Sequence, residues 1–286
     1  MTLTVHRAER SDVLVQELGD LLAEAPADPF APTLVAVPSK GVERWIAQSL
    51  STRLGTQNGR ADGVCANVLF PSPGRIVREA LAAASGIHPD DDPWESGRLV
   101  WPLLQVIDGC AGEEWCRTLG RHLGLVEGAV NQGRRMAVAQ KLAGLYSAYA
   151  SERPSMILEW LGGLDVDGFG GSLDEDLRWQ AEVWRRLRHH VGVPALAERL
   201  GPACDRLRDE PDIVDLPERL SVFGPTRLST VQLTVLNALA ARRDVHLWLP
   251  HPSAGLWRRG GRPGGGRGAP PPPPGAPPPP PRAPPP

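Results

Sequence analysis

Two hydrophobic patterns alternate along the first ninety residues. Residues 3–5, 34–37 and 64–70 are short stretches rich in apolar and β-branched side chains, which predicts strands. Apolar residues at three-and-four spacing follow each stretch and predict helices over 11–25, 42–50 and 76–84, the first with Ser11 as its N-cap. Strands that alternate with helices in this way predict a parallel sheet with right-handed crossovers.

The middle of the chain has a different pattern, because helical spacing dominates from about residue 93 to residue 208. Helices are predicted over residues 94–107, 113–123, 134–151, 173–191 and 194–208. A strand (219–224), a helix (226–243) and another strand (244–249) then resume the first pattern. The sequence therefore predicts an α/β fold whose parallel sheet is interrupted by a large all-helical insertion. The predicted divisions are 1–92 (α/β, first part), 93–210 (helical insertion), 211–257 (α/β, resumed) and 258–286 (disordered tail).

The turn after the second predicted strand has the position of a phosphate site but lacks the residues for one. It reads Pro38-Ser39-Lys40-Gly41 and leads directly into a helix. A strand-to-helix turn of an open α/β sheet is a usual phosphate site, because the amide groups at the helix start point at the ligand. A P-loop needs two glycines and a following Lys-Ser/Thr pair, whereas this turn has one glycine, with Val42 after it and the lysine before it.

The last segment, residues 258–286, differs in composition from the rest of the chain. It is rich in proline and glycine and carries five Arg and no acid, so it cannot build a core and favours polyproline II. It is either a proline-rich ligand for SH3-like partners or the product of a lost reading frame in a GC-rich gene; we favour the second. Removing its five Arg from the 31 basic residues leaves 26 against 33 acidic residues, a formal charge of −7. That balance argues against a broad basic face and leaves room for a local basic groove.

Cysteine spacing and hydropathy indicate a cytoplasmic protein. Cys65, Cys110, Cys116 and Cys204 show no CxxC spacing, and no histidine lies at a ligand spacing from them, so we expect reduced thiols and no zinc. The N-terminus has no apolar signal segment, and no apolar run reaches the length of a membrane span.

Three conspicuous clusters are explained by ordinary structural roles. We expect the basic run Arg185–His190 to form a solvated helix face, since its charges suit the C-terminal end of the helix dipole. The acidic run Asp90–Asp92 precedes Pro93 and is interpreted as a turn and N-cap rather than a metal site. Most of the nine Trp, including Trp45, Trp101, Trp179, Trp184 and Trp248, are assigned to core packing. No Ser/His/Asp or Cys/His set and no nuclease-type carboxylate cluster is recognisable, so the sequence predicts no catalysis by this chain alone.

A set of short motifs occurs in the order typical of one known family. The motifs are Arg10-Ser11-Asp12-Val13-Leu14, Asp28-Pro29-Phe30-Ala31-Pro32, Val37–Ile46, Phe70-Pro71-Ser72-Pro73, Tyr146-Ser147-Ala148-Tyr149, Arg153-Pro154, Trp160, Val222-Phe223-Gly224 and His246-Leu247-Trp248-Leu249. Over residues 1–257 the sequence resembles the N-terminal part of the RecC family, the gamma subunits of exodeoxyribonuclease V. No single motif is diagnostic, but the colinear set is fairly specific.

The resemblance implies a superfamily 1 helicase fold that has lost its ATPase. It implies a scaffold that assembles with RecB-like and RecD-like helicase subunits in a RecBCD-type complex. Such a scaffold splits double-stranded DNA ends and guides the 3′-ended single strand for break repair. The chain itself would hold no cofactor, and ATP and Mg²⁺ would belong to the partner subunits.

The resemblance also implies a set of residues lining the channel for the 3′-ended strand. On this chain they are Pro38, Lys40, Arg44, Ser72, Arg78 and Arg153. Pro38 and Arg44 depart from the polar amide and hydroxyl side chains of the best-studied members, so the resemblance does not extend to sequence-specific recognition of DNA at these positions. Lys40 and Arg44, four residues apart on one helix face, suit phosphate contacts instead.

Two other functions compete with the scaffold. One is a stand-alone P-loop-like enzyme that binds nucleotide through a degenerate turn. The other is a protein-interaction module whose working part is the proline-rich tail. Micromolar nucleotide binding would favour the first, and loss of partner binding on deletion of residues 258–286 would favour the second.

Overall fold

A computed structural model describes residues 2–24, 30–55, 63–124 and 132–251. Its centre is a five-stranded, all-parallel sheet with the spatial order β1-β5-β4-β2-β3. The strands are β1 (Leu3–Ala8), β2 (Thr33–Ala36), β3 (Val68–Leu69), β4 (Arg219–Phe223) and β5 (Asp244–Pro250). The predicted α/β class and parallel sheet are confirmed, and the strands after the helical segment do return to the first sheet.

Ten helices surround or extend this sheet in the described residues. They are α1 (Ser11–Ala23), α2 (Lys40–Ser51), α3 (Pro73–Ser85), α4 (Ser96–Cys110), α5 (Arg117–His122), α6 (Gln132–Glu152), α7 (Pro154–Leu161), α8 (Trp179–Val191), α9 (Leu196–Asp209) and α10 (Thr230–Leu239). No helix in the described ranges has both the length and the hydropathy needed to cross a bilayer.

Both faces of the sheet are buried, and successive strand residues pack on opposite sides. In β2, Leu34 and Ala36 join the cluster formed with α3, α9 and α10, whereas Val35 packs with α1 and α2. In β5, Leu247 and Trp248 divide between the same two clusters. This explains the apolar run of the central strand β2, as expected for a parallel sheet covered by helices on both faces.

The strand order creates a switch point between β2 and β4. From β2 the chain moves outward to β3, whereas from β4 it moves the other way to β5. The helices that follow these two strands, α2 and α10, belong to clusters on opposite faces of the sheet. In open α/β sheets such a point leaves a crevice at the carboxyl ends of the strands, where ligands bind.

The segment between β3 and β4 is helical, as predicted, and most of it shares one core. Trp160, Trp184 and Tyr146 are at most 1% exposed in that core. Helix α9 is different, because most of its buried residues pack with α3 and α10 beside the sheet. The proposed domain boundaries remain a prediction, and the tail 258–286 lies outside the described residues.

Several predicted element bounds were wrong. Ser11 is the first helical residue and not the cap, a position that Arg10 takes with no side-chain bond. The strand predicted for 64–70 is only Val68–Leu69, because Asn67 has a left-handed φ of 56° that interrupts the extended chain. Helix α3 begins earlier than expected, at Pro73, since Ser72 caps it.

The later helices also differ from their predicted lengths. Residues 113–123 and 173–191 each begin with a separate 3₁₀ turn, Glu114–Cys116 and Glu175–Leu177. The helix predicted over 226–243 covers only Thr230–Leu239, because Ser229 and Gln232 form a capping box. Helix α7 was not predicted; Pro154 occupies its first turn, where the missing N–H is harmless.

Core packing was the wrong assignment for two tryptophans. Trp101 is 66% exposed and Trp45 is 38% exposed, although Trp45 lies near Phe223. Trp184 and Trp248 are buried as expected. Both errors have the same cause. Helical spacing identifies the apolar face of a helix, but it does not show whether another element covers that face.

Candidate nucleic-acid interface

The turn after β2 is short and capped by its own side chain. Only residues 37–39 separate β2 from α2. Ser39 Oγ accepts from the Val42 amide at 3.4 Å, and the Ser39 carbonyl accepts from the Glu43 amide at 3.0 Å. The exposed Pro38 has no amide hydrogen to offer. Because the connection is only three residues long and contains no glycine, it does not form the glycine-rich loop of a P-loop.

Helix α2 presents Lys40 and Arg44 along one groove, as their spacing predicted. The groove has a volume of about 600 Å³ and is also lined by Gln48, Cys65 and Phe70. Lys40 Nζ lies 2.7 Å from a carboxylate oxygen of Glu43, yet its side chain is 86% exposed. Arg44 is exposed, and it forms no hydrogen bond or ion pair within the described residues.

The loop before α3 lies directly beside the turn of Pro38. The Val37 amide donates to the Pro71 carbonyl at 2.9 Å, so Pro38 and Ser72 occupy neighbouring loops. The Ser72 hydroxyl accepts from the Arg75 amide at 3.2 Å and thereby caps α3. Ser72 is exposed, but its oxygen already serves the helix end.

Arg78 lies further along α3, at the mouth of a cleft. This cleft has a volume of about 420 Å³ and separates α3 and α10 from α4, α6 and α8. Arg78 is exposed and, like Arg44, has no ion-pair or hydrogen-bond partner among the residues that the structure describes. Gln232 lines the same cleft, and a Cβ placed on Gly74 would lie 3.6 Å from its side-chain nitrogen. The first turns of α3 and α10 are therefore adjacent.

The start of α10 links this edge of the sheet to Arg153. Thr230 Oγ1 donates to the Glu152 carbonyl at 2.7 Å, and Arg227 pairs with the Glu152 carboxylate at 3.0 Å. Arg153 follows Glu152 and directly precedes α7. Its Nη1 donates to the Asp167 carbonyl at 3.1 Å, and its guanidinium lies 4.0 Å from the centre of the Phe169 ring.

These contacts place the six predicted site residues on adjoining loops and helices at one edge of the sheet, and we call this set the carboxyl-edge row. Lys40 and Arg44 line one groove in it, whereas Arg78 lines a separate cleft. Pro38, Lys40, Arg44 and Ser72 lie at the carboxyl ends of β2 and β3, and α3 and α10 connect them to Arg78 and Arg153. The sequence-based reasoning missed two neighbours of this row, Arg227 and Phe169. A signal was present for Arg227, because it follows β4 at the switch point; Phe169 is far from any strand in sequence.

The basic run of α8 was interpreted wrongly. Its arginines are not a solvated face, because each pairs with carboxylates of the same chain. Arg185 contacts Glu182 and Asp165 at 2.9 and 3.0 Å, and Arg188 contacts Glu198 at 2.6 and 3.0 Å. Arg186 binds both oxygens of Glu113, at 2.7 and 3.1 Å, and holds the pKa of that carboxyl group below its usual value.

Neither the acidic run nor the cysteines form a metal site. Residues Pro89–Asp91 form a 3₁₀ turn, as expected, but the N-cap of α4 is Glu95 rather than an aspartate of that run. Cys110 and Cys116 are buried with their sulfurs 3.7 Å apart. Across the described residues, no group of three or more His, Cys, Asp or Glu is placed to hold a metal ion.

Comparison with known proteins places this chain in one family. The model of the RecC N-terminal domain matches residues 3–264. A RecBCD enzyme subunit RecC from Mycobacterium tuberculosis is 48% identical over 263 residues, 90% of this chain and 23% of that protein. The Mycolicibacterium smegmatis relative is 44% identical over 90% of this chain and 22% of its own length. The Escherichia coli relative is 26% identical over 89% of this chain and 22% of its own length. This chain therefore spans about a quarter of the length of these relatives. It belongs to the RecC family, and the part of the family that it matches is the N-terminal domain.

Proposed function

We propose that this chain is a non-catalytic, DNA-binding scaffold module of a RecBCD-type helicase–nuclease. In this role it would help to split a double-stranded DNA end and guide the 3′-ended strand during recombinational repair. The observation that carries the proposal is the pair Arg44 and Arg78. Both are exposed at the carboxyl edge of the sheet, and both lack an intramolecular partner in the described part of the chain. Such cations are available for DNA phosphates.

The partners of the proposal come from the names of the relatives, and its cofactors come from the family resemblance. A subunit of a RecBCD enzyme assembles with RecB-like and RecD-like subunits, which we propose as the partners of this chain. ATP and Mg²⁺ would act in those subunits. A parallel sheet whose connection after β2 lacks the P-loop residues is compatible with a helicase-like domain that has lost its ATPase.

The geometry of the connection between β2 and α2 favours the scaffold over a stand-alone nucleotide enzyme. The turn has three residues, one of them a proline, and the Ser39 side chain already satisfies a first-turn amide. Lys40 is the first residue of the helix and lies against Glu43. A P-loop lysine instead follows a glycine-rich loop and reaches the β- and γ-phosphates.

The proposal is tested with the full chain and two ligands. Binding of a fluorescein-labelled 20-nucleotide single strand is followed by anisotropy between 50 and 200 mM salt, and binding of Mg-ATP by calorimetry. We expect DNA binding that weakens steeply with salt, because phosphate contacts release counterions, and no heat of ATP binding. Micromolar ATP binding without DNA binding would instead favour the nucleotide enzyme.

Assembly is tested by replacing the matching N-terminal segment of the M. tuberculosis relative with residues 3–251 of this chain. We expect the chimera to copurify with the RecB and RecD subunits and to support ATP-dependent unwinding. A chimera that folds but does not copurify would contradict the scaffold role.

A further inference from the structure

The loop between α7 and α8 has a rigid tip with an aromatic residue on it. Val166 and Ser172 form an antiparallel bridge, and the Asp167 amide donates to the Gly171 carbonyl at 2.9 Å. The Asp167 carboxylate accepts from the amides of Phe169 and Gly171 at 2.7 and 3.0 Å. These two bonds hold the pKa of Asp167 below its usual value, because hydrogen bonds to a carboxylate favour its charged form.

Glycine is required on both sides of Phe169. Gly168 and Gly170 have left-handed φ angles of 75° and 92°, which other residues rarely adopt. A Cβ on Gly168 would also lie 3.1 Å from side-chain atoms of Arg153 and Met156. The loop therefore packs tightly on the start of α7 and fixes where the Phe169 side chain emerges.

Phe169 is exposed although its surroundings are ordered. The residue is 74% exposed, and the Arg153 guanidinium lies 4.0 Å from its ring centre. Arg153 is itself held by the Asp167 carbonyl. The guanidinium covers one face of the ring, and the exposed fraction leaves the opposite face open to a ligand. Single exposed apolar residues are common, but Phe169 has its backbone held by Asp167 and its ring in contact with a cation.

An unpaired nucleobase fits this arrangement. Bases of single-stranded DNA stack on aromatic rings, and a neighbouring arginine contacts the phosphate of the same nucleotide. Little side-chain freedom is lost on binding, because the ring is already positioned. Arg227, which pairs with Glu152 next to the half-buried Arg153, adds an exposed cation at this end of the carboxyl-edge row.

We infer that Phe169 stacks on an unpaired base of single-stranded DNA, with Arg153 contacting the adjacent phosphate. The inference rests on the proposed function and adds to it a residue that the family resemblance did not supply. A protein ligand is the competing occupant, since Leu158, Leu161 and Leu164 are also partly exposed nearby in sequence.

The test compares two strands of equal length and charge, a 20-nucleotide oligo-dT and the same strand made of abasic sites. The full chain is compared with Phe169→Ala, Phe169→Leu and Phe169→Trp, and with Trp101→Ala as a control for loss of an exposed aromatic elsewhere. We expect the wild type to bind oligo-dT about tenfold more tightly than the abasic strand. Phe169→Ala and Phe169→Leu should remove most of that difference while leaving the salt dependence unchanged.

Two further readouts separate stacking from a structural role. In Phe169→Trp, oligo-dT should quench the new tryptophan and the abasic strand should not. Trp101→Ala should keep the wild-type ratio. Equal binding of both strands by the wild type, or an unchanged ratio in Phe169→Ala without quenching in Phe169→Trp, would overturn the inference alone. A wild-type chain that binds neither strand would overturn the proposed function, and the inference with it.

Discussion

Two regions of this molecule contain arginines that differ in whether carboxylates of the same chain bind them. On α8, Arg185, Arg186 and Arg188 are consecutive in sequence or nearly so, and every one is bound to carboxylates of the same chain. On the carboxyl-edge row, Arg44 and Arg78 are far apart in sequence and have no such partner among the described residues. The arginines of the dense cluster were predicted to form a solvated face but are paired, whereas the two scattered arginines have no partner in the described part of the chain.

The difference follows from what each region must hold together. Helix α8 lies in the helical core, where Arg188 joins it to the start of α9 through Glu198. Glu182 bridges Arg185 and Arg186 on the same helix. At the carboxyl edge, by contrast, the helix starts are capped by Ser39, Ser72 and Ser229, so Arg44 and Arg78 are not needed to satisfy them.

The largest effect is expected when an arginine of α8 is removed. Arg188→Ala leaves the carboxylate of Glu198, only 16% exposed, without its bidentate partner. Hydrogen bonds to charged groups contribute about 1.5–3 kcal/mol, so we expect the free energy of unfolding to fall by about 2 kcal/mol in urea titrations.

The matched control for Arg188→Ala is Arg208→Ala, which removes a more exposed pair with Asp205. This control should cost less than about 0.5 kcal/mol. Neither substitution should alter affinity for single-stranded DNA. A loss of DNA affinity in folded Arg188→Ala would contradict the assignment of α8 to stability and of the carboxyl-edge row to DNA binding.

A smaller free-energy change, visible in a different assay, is expected on the carboxyl-edge row. The double substitution Arg44→Ala/Arg78→Ala should weaken binding of single-stranded DNA about tenfold, roughly 1.4 kcal/mol. The slope of log affinity against log salt should flatten by about 0.7 for each lost phosphate contact. Unfolding free energy should stay within about 0.5 kcal/mol of wild type, since both side chains are exposed.

Arg121→Ala serves as the control for that double variant, because Arg121 is exposed on α5 away from the row. It should change neither the affinity nor the salt slope. If the double variant bound DNA as the wild type does, the free arginines would not be the DNA contact.

The smallest effect is a dependence of stability on pH. Burial acts to raise the pKa of Glu198, but hydrogen bonds from Arg188 and the Ala195 amide outweigh it and lower the pKa below its usual 4.5. The resulting stabilisation is complete above pH 4.5 and is lost as the pH falls through the folded-state pKa. Unfolding free energies measured from pH 7 to pH 3 should therefore fall more steeply in wild type than in Arg188→Ala. Parallel curves would show that the pair does not contribute through charge.

Local patterns were enough to predict most secondary elements. The apolar runs of β2, β4 and β5 and the repeats of α2 and α6 are contained in a few consecutive residues. Errors occurred where the decisive contact was not part of the pattern. Asn67 ends a strand pattern by adopting a left-handed φ while its side chain donates to the Phe30 and Ala31 carbonyls.

The candidate site was predictable only in part. Lys40 and Arg44 could be grouped from their spacing, because four residues make slightly more than one helical turn. Their proximity to Ser72 depends on the bond from Val37 to Pro71, and their link to Arg153 depends on Thr230, which lies 78 positions from Glu152. Neither contact leaves a periodic signal.

The sequence alone determined the α/β class, the parallel sheet and the lack of P-loop residues, because each depends on residue types and on spacings of a few positions. The tertiary structure decided which arginines are free, which tryptophans are buried and that Phe169 lies beside Arg153. Those properties depend on charges and surfaces contributed by distant segments. Glu113 is 73 residues from Arg186, and only folding brings them together.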